Sequence, residues 1–386
     1  MVLKMIYDAK FFDQVFERRG HDATKWDYPL FVKDNKDIVP MWVADMDFRT
    51  PDCIVDAMAK RLEHHAFGYF KIPQAYFDGI AKWQKERYGV DGVTADQVDY
   101  QNGVLGGVIS ALNVLCSRGD KVLVHAPTYI GFTNSLTNNG YHIVHSPLRK
   151  DENGVWRMDY EDMEKKLSEE KIHAAIFCSP HNPCGRVWER WEIEKAMELY
   201  QKYDVTVISD EIWSDLITIG HHHIPTQSVS EDAKMRTIAL YAPSKTFNLA
   251  GLVGSYHIIY NPYLRDRILK ESSLSHYNSM NVLSMYALIG AYTREGQEWL
   301  EELRQVITGN VDFACDYIKE HFRGVEVFRP EGTYMLFVDC TKWCEEHGKT
   351  IEDVERAAWD VGVAFQDGRM FFGPCHVRIN LALPRS

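Results

Sequence analysis

The chain has 386 residues, 45% hydrophobic and 25% charged, which is long enough for two domains and ordinary for a globular protein. A net charge of -12 without a lysine-arginine stripe argues against nucleic acid or an anionic membrane surface as partner. No apolar run nears the ~18 residues of a membrane span, and residues 1–8 lack the apolar core of a signal peptide. The expectation is therefore a cytoplasmic chain whose eight scattered cysteines are reduced thiols.

Strand-like runs recur at 98–100, 121–125, 142–146, 174–179, 205–209, 237–241 and 255–259, with helical patterns between most of them, such as 189–203. That alternation predicts an α/β fold, a mostly parallel sheet with helices on both faces. A helix-rich stretch comes next at 280–322. After it come strands near 325–329 and 335–339, a helix near 351–359 and a last strand at 377–380, which read as a smaller α+β domain. No repeat, low-complexity segment or Gly/Ser linker stands out.

Chemistry concentrates where strands end. Gln101-Asn102-Gly103-Val104-Leu105-Gly106-Gly107 reads as a glycine-rich turn opening a helix at about Gly107. Free backbone N–H groups there suit a phosphate. The turn matches neither a dinucleotide fingerprint nor a P-loop. Tyr129 lies just after the strand at 121–125. The apolar run 174–179 ends in Pro180-His181-Asn182-Pro183, a rigid turn presenting Asn182. The run 205–209 delivers Asp210 at its C-terminal edge. The run 237–241 leads into Ala242-Pro243-Ser244-Lys245. Ligands of open α/β sheets sit outside such strand ends.

A lysine there is costly unless it has a task or a partner. Desolvation frees its amine as a nucleophile toward an aldehyde. Enzymes of pyridoxal 5'-phosphate pair such a lysine with an acidic group on the ring nitrogen, and Asp210 fits that position. Asn182 can donate to the ring hydroxyl, and Lys245 can take a Cα proton. Structural readings stay open for each: a snorkelling lysine at 245, an N-cap at Asp210, a turn former at Asn182. Two clusters invite a metal reading and carry none here. Cys340, Cys344 and His347 lack a second ligand pair and read as packing. His221-His222-His223 reads as a solvated loop.

With these residues the chain resembles the fold-type-I pyridoxal-phosphate enzymes, the aspartate aminotransferase superfamily. Residues 18–27 and 41–48, Phe67-Gly68-Tyr69, residues 179–185 and His376-Val377-Arg378-Ile379-Asn380 look like the MalY/PatB group of cystathionine β-lyases. The resemblance runs from about Tyr7 to Ser386. It implies a seven-stranded sheet with one antiparallel strand, a large domain over 48–290 and a small one from 1–47 and 291–386. It also implies that Tyr129 stacks on the cofactor ring. Tyr69 would reach the phosphate of a neighbouring subunit in a homodimer with shared sites. Arg378 would clamp the α-carboxylate of an amino-acid substrate, for which a guanidinium fork is suited. A core tyrosine at 129, a surface aromatic at 69 and a surface ion pair at 378 are the plain alternatives. Relatives normally continue into a further C-terminal helix, which is absent after Pro384-Arg385-Ser386 in this sequence.

The chain also departs from the family. Ala242 stands where many relatives have serine, and Val253 where aminotransferases often have arginine. Phosphate binding then leans on Val104, Leu105, Ser244 and Tyr69. Trp213 replaces a tyrosine or histidine, and Gln366-Asp367-Gly368 replaces a Pro-Gly turn beside the substrate side chain. The implied activity is a C–S β-lyase acting on cysteine S-conjugates. An aminotransferase shares its early steps, and a regulatory protein could keep the same fold. The missing glycine fingerprint disfavours a nicotinamide dehydrogenase.

Overall fold

The computed structural model describes residues 7–29 and 37–385. Residues 1–6 and 30–36, part of the expected small domain, lie outside the described residues. In chain order the strands are β1 (Val39–Pro40), β2 (Val98–Gln101), β3 (Lys121–Ala126), β4 (His142–Lys150), β5 (Trp156–Met158), β6 (Ile172–Cys178) and β7 (Thr206–Asp210). They continue with β8 (Thr237–Tyr241), β9 (Ser255–Ile258), β10 (Glu326–Val327), β11 (Met335–Asp339), β12 (Val363–Ala364), β13 (Gln366–Asp367) and β14 (His376–Asn380).

The main sheet has the order β2-β9-β8-β7-β6-β3-β4-β5. Strands β8, β7, β6, β3 and β4 run parallel to one another, and β9 runs antiparallel to both of its neighbours. The expected seven strands are all present near their predicted bounds. The sheet is one strand wider, because β5 adds antiparallel to β4 at the edge. That strand has only three residues, too few for a period-two pattern to register. All five residues of β8 are buried, as a strand covered on both faces requires.

Helices cover the sheet with apolar stripes. In helix Arg190–Lys202 the buried residues Ile193, Ala196, Met197 and Tyr200 keep helical spacing. Helix Gly103–Leu115 starts four residues earlier than its glycines suggest. Gly106 and Gly107 lie inside it rather than in a turn. A Cβ on Gly107 would stand 2.7 Å from Leu240 of β8, so the glycine lets the helix lie close on the sheet.

A second sheet has the order β10-β11-β14-β13, antiparallel throughout. β1 pairs with β12, joining the N-terminal region to the C-terminal one. Helix Arg294–His321 turns Trp299, Leu300, Leu303, Ile307 and Val311 into the core. Among the described residues no helix is long and apolar enough to cross a membrane.

Candidate active site

Four adjacent strands of the main sheet, β8, β7, β6 and β3, end at one cavity of about 410 Å³. Beyond β8, the short helix Pro243–Thr246 carries Ser244 and Lys245. Asp210 is the last residue of β7. Asn182 lies just past β6, and Tyr129 just past β3. The N-terminus of helix Gly103–Leu115 adds Val104 and Leu105. Arg378, from β14 of the second sheet, closes the far side. All eight of these residues line the cavity. Tyr69 does not; it is fully exposed on the surface.

The helix mouth is built for an acceptor. Gly103 opens it with φ +71°, and Asn102, at the N-cap, gives no side-chain cap. The first-turn N–H groups are therefore left without that partner, at the positive end of the helix dipole. A Cβ on Gly131 would fall 2.2 Å from the Tyr129 ring. Glycine there lets the ring lie against its own helix, with Phe132 edge-on at 5.4 Å.

Two basic groups and one carboxylate share the cavity lining: Lys245, Arg378 and Asp210. Burial pushes Lys245 down to about 8, and the Arg378 charge adds to this, while Asp45 and Asp210 oppose it. Its Nζ donates to the Ala44 carbonyl at 2.9 Å. Burial raises Asp210 to about 7, against a hydrogen bond from the Ile212 N–H. That bond, at 3.0 Å, engages Oδ1; among the described residues Oδ2 has no partner. Arg378 is 3% exposed and is held down to about 10 by burial. No carboxylate pairs with it among the described residues. It donates through Nη1 to Asn182 Oδ1 at 3.0 Å and through Nη2 to Gln366 Oε1, and its Nε has no partner. A buried cation without a counter-anion marks where an anionic ligand belongs.

Two parts of this site, singled out in the sequence, have no role assigned to them there. One is Gln366, which β13 places directly opposite Arg378. The other is the segment 43–47, which carries the Ala44 carbonyl. Arg18 grips both oxygens of Asp45 at 2.8 and 2.9 Å. Lys25 donates to Asp47 at 2.7 Å, and Trp26 Nε1 to Asp47 at 2.8 Å. Asn248 pairs with Met46 through both amide atoms, and Asn380 donates to the Val43 and Asp45 carbonyls. The segments 18–27 and 41–48, distinct patterns in the sequence, are thus one hydrogen-bonded unit.

Trp213 is buried edge-on to Tyr334 at 4.8 Å, with Lys245 Nζ 5.7 Å from its ring centroid. Val253 lines the cavity with φ +51°, offering no charge. Cys340 and Cys344 are buried in the core, and His347 stacks on Trp343 at 4.7 Å. His221 and His222 are exposed, as a solvated loop requires. His223 corrects that reading: it is buried, with Nε2 2.8 Å from Glu211. The carboxylate of Glu211 draws the third histidine inward, which a run of identical residues does not reveal.

A profile described as "Aminotransferase class I and II" matches residues 36–386. The cystathionine beta-lyase PatB of Bacillus subtilis (strain 168) is 36% identical over 85% of this chain and 84% of its own length. The protein MalY of Escherichia coli (strain K12) is 30% identical over 97% and 95%. A solved structure of a PLP-bound C-S lyase from Staphylococcus hominis superposes with a TM-score of 0.88, 31% identity, and coverage of 97% and 94%. The likeness runs along nearly the whole chain, which belongs to the class I and II aminotransferase family, in the group of PatB and MalY.

Proposed function

We propose that this chain is a pyridoxal-5'-phosphate-dependent C–S β-lyase. It takes L-cystathionine or a related cysteine S-conjugate, with water, to a thiol, pyruvate and ammonia. The observation that carries the reading is the cavity where Lys245 and Asp210 meet the unpaired guanidinium of Arg378. The names of the curated relative at 36% identity, a cystathionine beta-lyase, and of the solved structure at 31%, a C-S lyase, favour elimination over amino transfer.

The residues fit the cofactor. Asp210 is a buried carboxylate with one oxygen unbonded among the described residues, suited to a protonated ring nitrogen. Asn182 spends its oxygen on Arg378, leaving its Nδ2 as a donor to the ring hydroxyl. Tyr129 offers a ring face. The N–H groups of Val104 and Leu105 and the hydroxyl of Ser244 would hold the phosphate. Lys245 would hold the cofactor's aldehyde until substrate arrives, and the bound group would supply an electron sink that acidifies the substrate Cα–H.

The protein's own residues do the rest. Arg378, with Asn182, binds and orients the substrate α-carboxylate through parallel hydrogen bonds. Lys245, with its pKa lowered to about 8, can be neutral near working pH and, once displaced by the substrate amine, takes the proton from Cα. Its contact with Ala44 O fixes where the amine rests. Asp210 holds a proton at the ring nitrogen. The mainly apolar walls exclude water from the reacting centre.

The division into a cofactor-binding domain (48–290) and a small domain (1–47 and 291–386) belongs to this reading. So does a cytoplasmic setting, which suits eight free cysteines. The working unit is a homodimer in which Tyr69 serves the partner's phosphate. Phe67, Tyr69 and Phe70 are all exposed, and such a patch suits a contact surface. Tyr69→Phe and Lys245→Ala should each be inactive, the latter also losing the cofactor's visible band. Mixed under subunit exchange, they should recover activity, because one site per mixed dimer is intact. Mixtures that exchange fully yet stay inactive would return Tyr69 to its own subunit.

Product analysis with L-cystathionine tests the reaction. Equal yields of pyruvate and homocysteine are expected. Amino transfer to an added keto acid without pyruvate would replace the lyase by an aminotransferase.

A further inference from the structure

The pairing of Gln366 with Arg378 goes beyond these assignments. The register of β13 on β14 sets the two residues opposite each other, and both line the cavity of Lys245. A guanidinium has donors only, so the amide of Gln366 must turn its oxygen toward Arg378. It does so, Oε1 accepting from Nη2. This fixes the other end of the amide: Nε2 carries two N–H donors with no partner among the described residues. Asn182 does the same on the other nitrogen, its Oδ1 accepting from Nη1. Two amides therefore flank one buried cation, each with its oxygen on the guanidinium and its NH2 group left over.

We infer that Gln366 is a substrate-binding residue whose Nε2 donates to the α-carboxylate held by Arg378. This rests on the assignment of Arg378 to that carboxylate. Gln366, Arg378 and Asn182 form a seat with donors from three directions. The neutrality of Gln366 matters as much as its donors. A glutamate of the same shape would pair with Arg378 and cancel the charge that recruits the ligand. Glutamine orients the guanidinium and leaves the charge available.

The test uses Gln366→Met, which keeps the length and removes the donors, and Gln366→Glu, which keeps the shape and adds a charge. Turnover of S-methyl-L-cysteine is measured beside calorimetric binding of L-alanine and of ethylamine, which lacks the carboxylate. In Gln366→Met, KM and the L-alanine Kd should rise about tenfold, the scale of one hydrogen bond to a charged group. The kcat should stay within about twofold and ethylamine binding should not change. In Gln366→Glu the same two constants should rise about a hundredfold, since like charge and masking add to the lost bond. Unchanged L-alanine binding in both variants would overturn the inference. So would equal weakening toward L-alanine and ethylamine, or a loss confined to kcat, because a merely structural residue would act that way. Melting curves identify a variant that fails to fold, and the other variant then decides. Should the wild type transaminate rather than eliminate, the lyase reading fails by itself, and L-alanine binding still decides the role of Gln366.

Discussion

Arg186 and Arg378 are both buried arginines, 1% and 3% exposed, in two neighbouring regions of the molecule. Arg186 lies just past the turn that presents Asn182. It pairs with Glu192 and Glu331 and donates to the carbonyls of Trp156 and Val187 at 2.9 and 3.1 Å. Arg378 touches Asn182 itself, and no carboxylate joins it among the described residues. One cation is satisfied inside the protein; the other waits on a ligand. Burial alone therefore does not separate structural from functional charge. The presence or absence of a counter-ion does.

Substitutions can break this contrast. Arg378→Met should lower kcat/KM about a thousandfold, the order expected when a charged, bidentate substrate contact is lost. Its melting temperature should not fall, because an unpaired buried charge is replaced by apolar atoms of similar length. A marked loss of stability would show that Arg378 is structural after all. Arg186→Met should do the reverse. It leaves Glu331 without its cation and Glu192 with Arg157 alone, and should cost about 3–5 kcal/mol in a denaturation curve, while the KM of the folded fraction stays unchanged.

The neighbours Asp210 and Glu211 sharpen the same contrast on the acidic side. Glu211 accepts from His223, Tyr241, Ser209 and the Thr226 N–H; among the described residues Asp210 accepts from the Ile212 N–H alone. Burial raises Asp210 from 3.8 to about 7, so folding favours its protonated form. The stability it contributes is full below about pH 4 and is lost as pH climbs through 7. In the cofactor-stripped protein, Asp210→Asn should remove this slope. Wild type should lose up to a few kcal/mol relative to the variant between pH 4 and 7. The lowered pKa of Lys245 acts in the opposite sense, above about pH 8, outside this window. Parallel stability curves in the acid range would contradict the raised pKa.

The wall of the site formed by the main sheet was legible in the sequence because topology writes it there. Continuous apolar runs mark buried parallel strands, and the residue after each run must emerge at one edge. Asn182, Asp210 and Lys245 could be read this way. The opposite wall has no such grammar. Gln366 sits in a two-residue strand, and its partner Arg378 is meaningful only once the β13–β14 pairing is known. Ala44 acts through a backbone carbonyl, which no side-chain pattern encodes. Lys25, fully buried against Asp47, looks in sequence like any surface lysine. His223 escapes a sequence reading for the same reason, since its partner Glu211 comes from another element.

The segment 43–47 also bears on how the chain folds. Its carbonyls and amides are held by Asn248, about 200 residues away, and by Asn380, more than 330 away. Closing loops of such length carries an entropic cost before any contact rewards it, and long-range contacts slow folding. The main sheet can condense from strand-helix-strand units close in sequence, while the resting place of the Lys245 amine needs both ends of the chain to meet. During refolding, secondary structure should therefore return before the capacity to bind the cofactor.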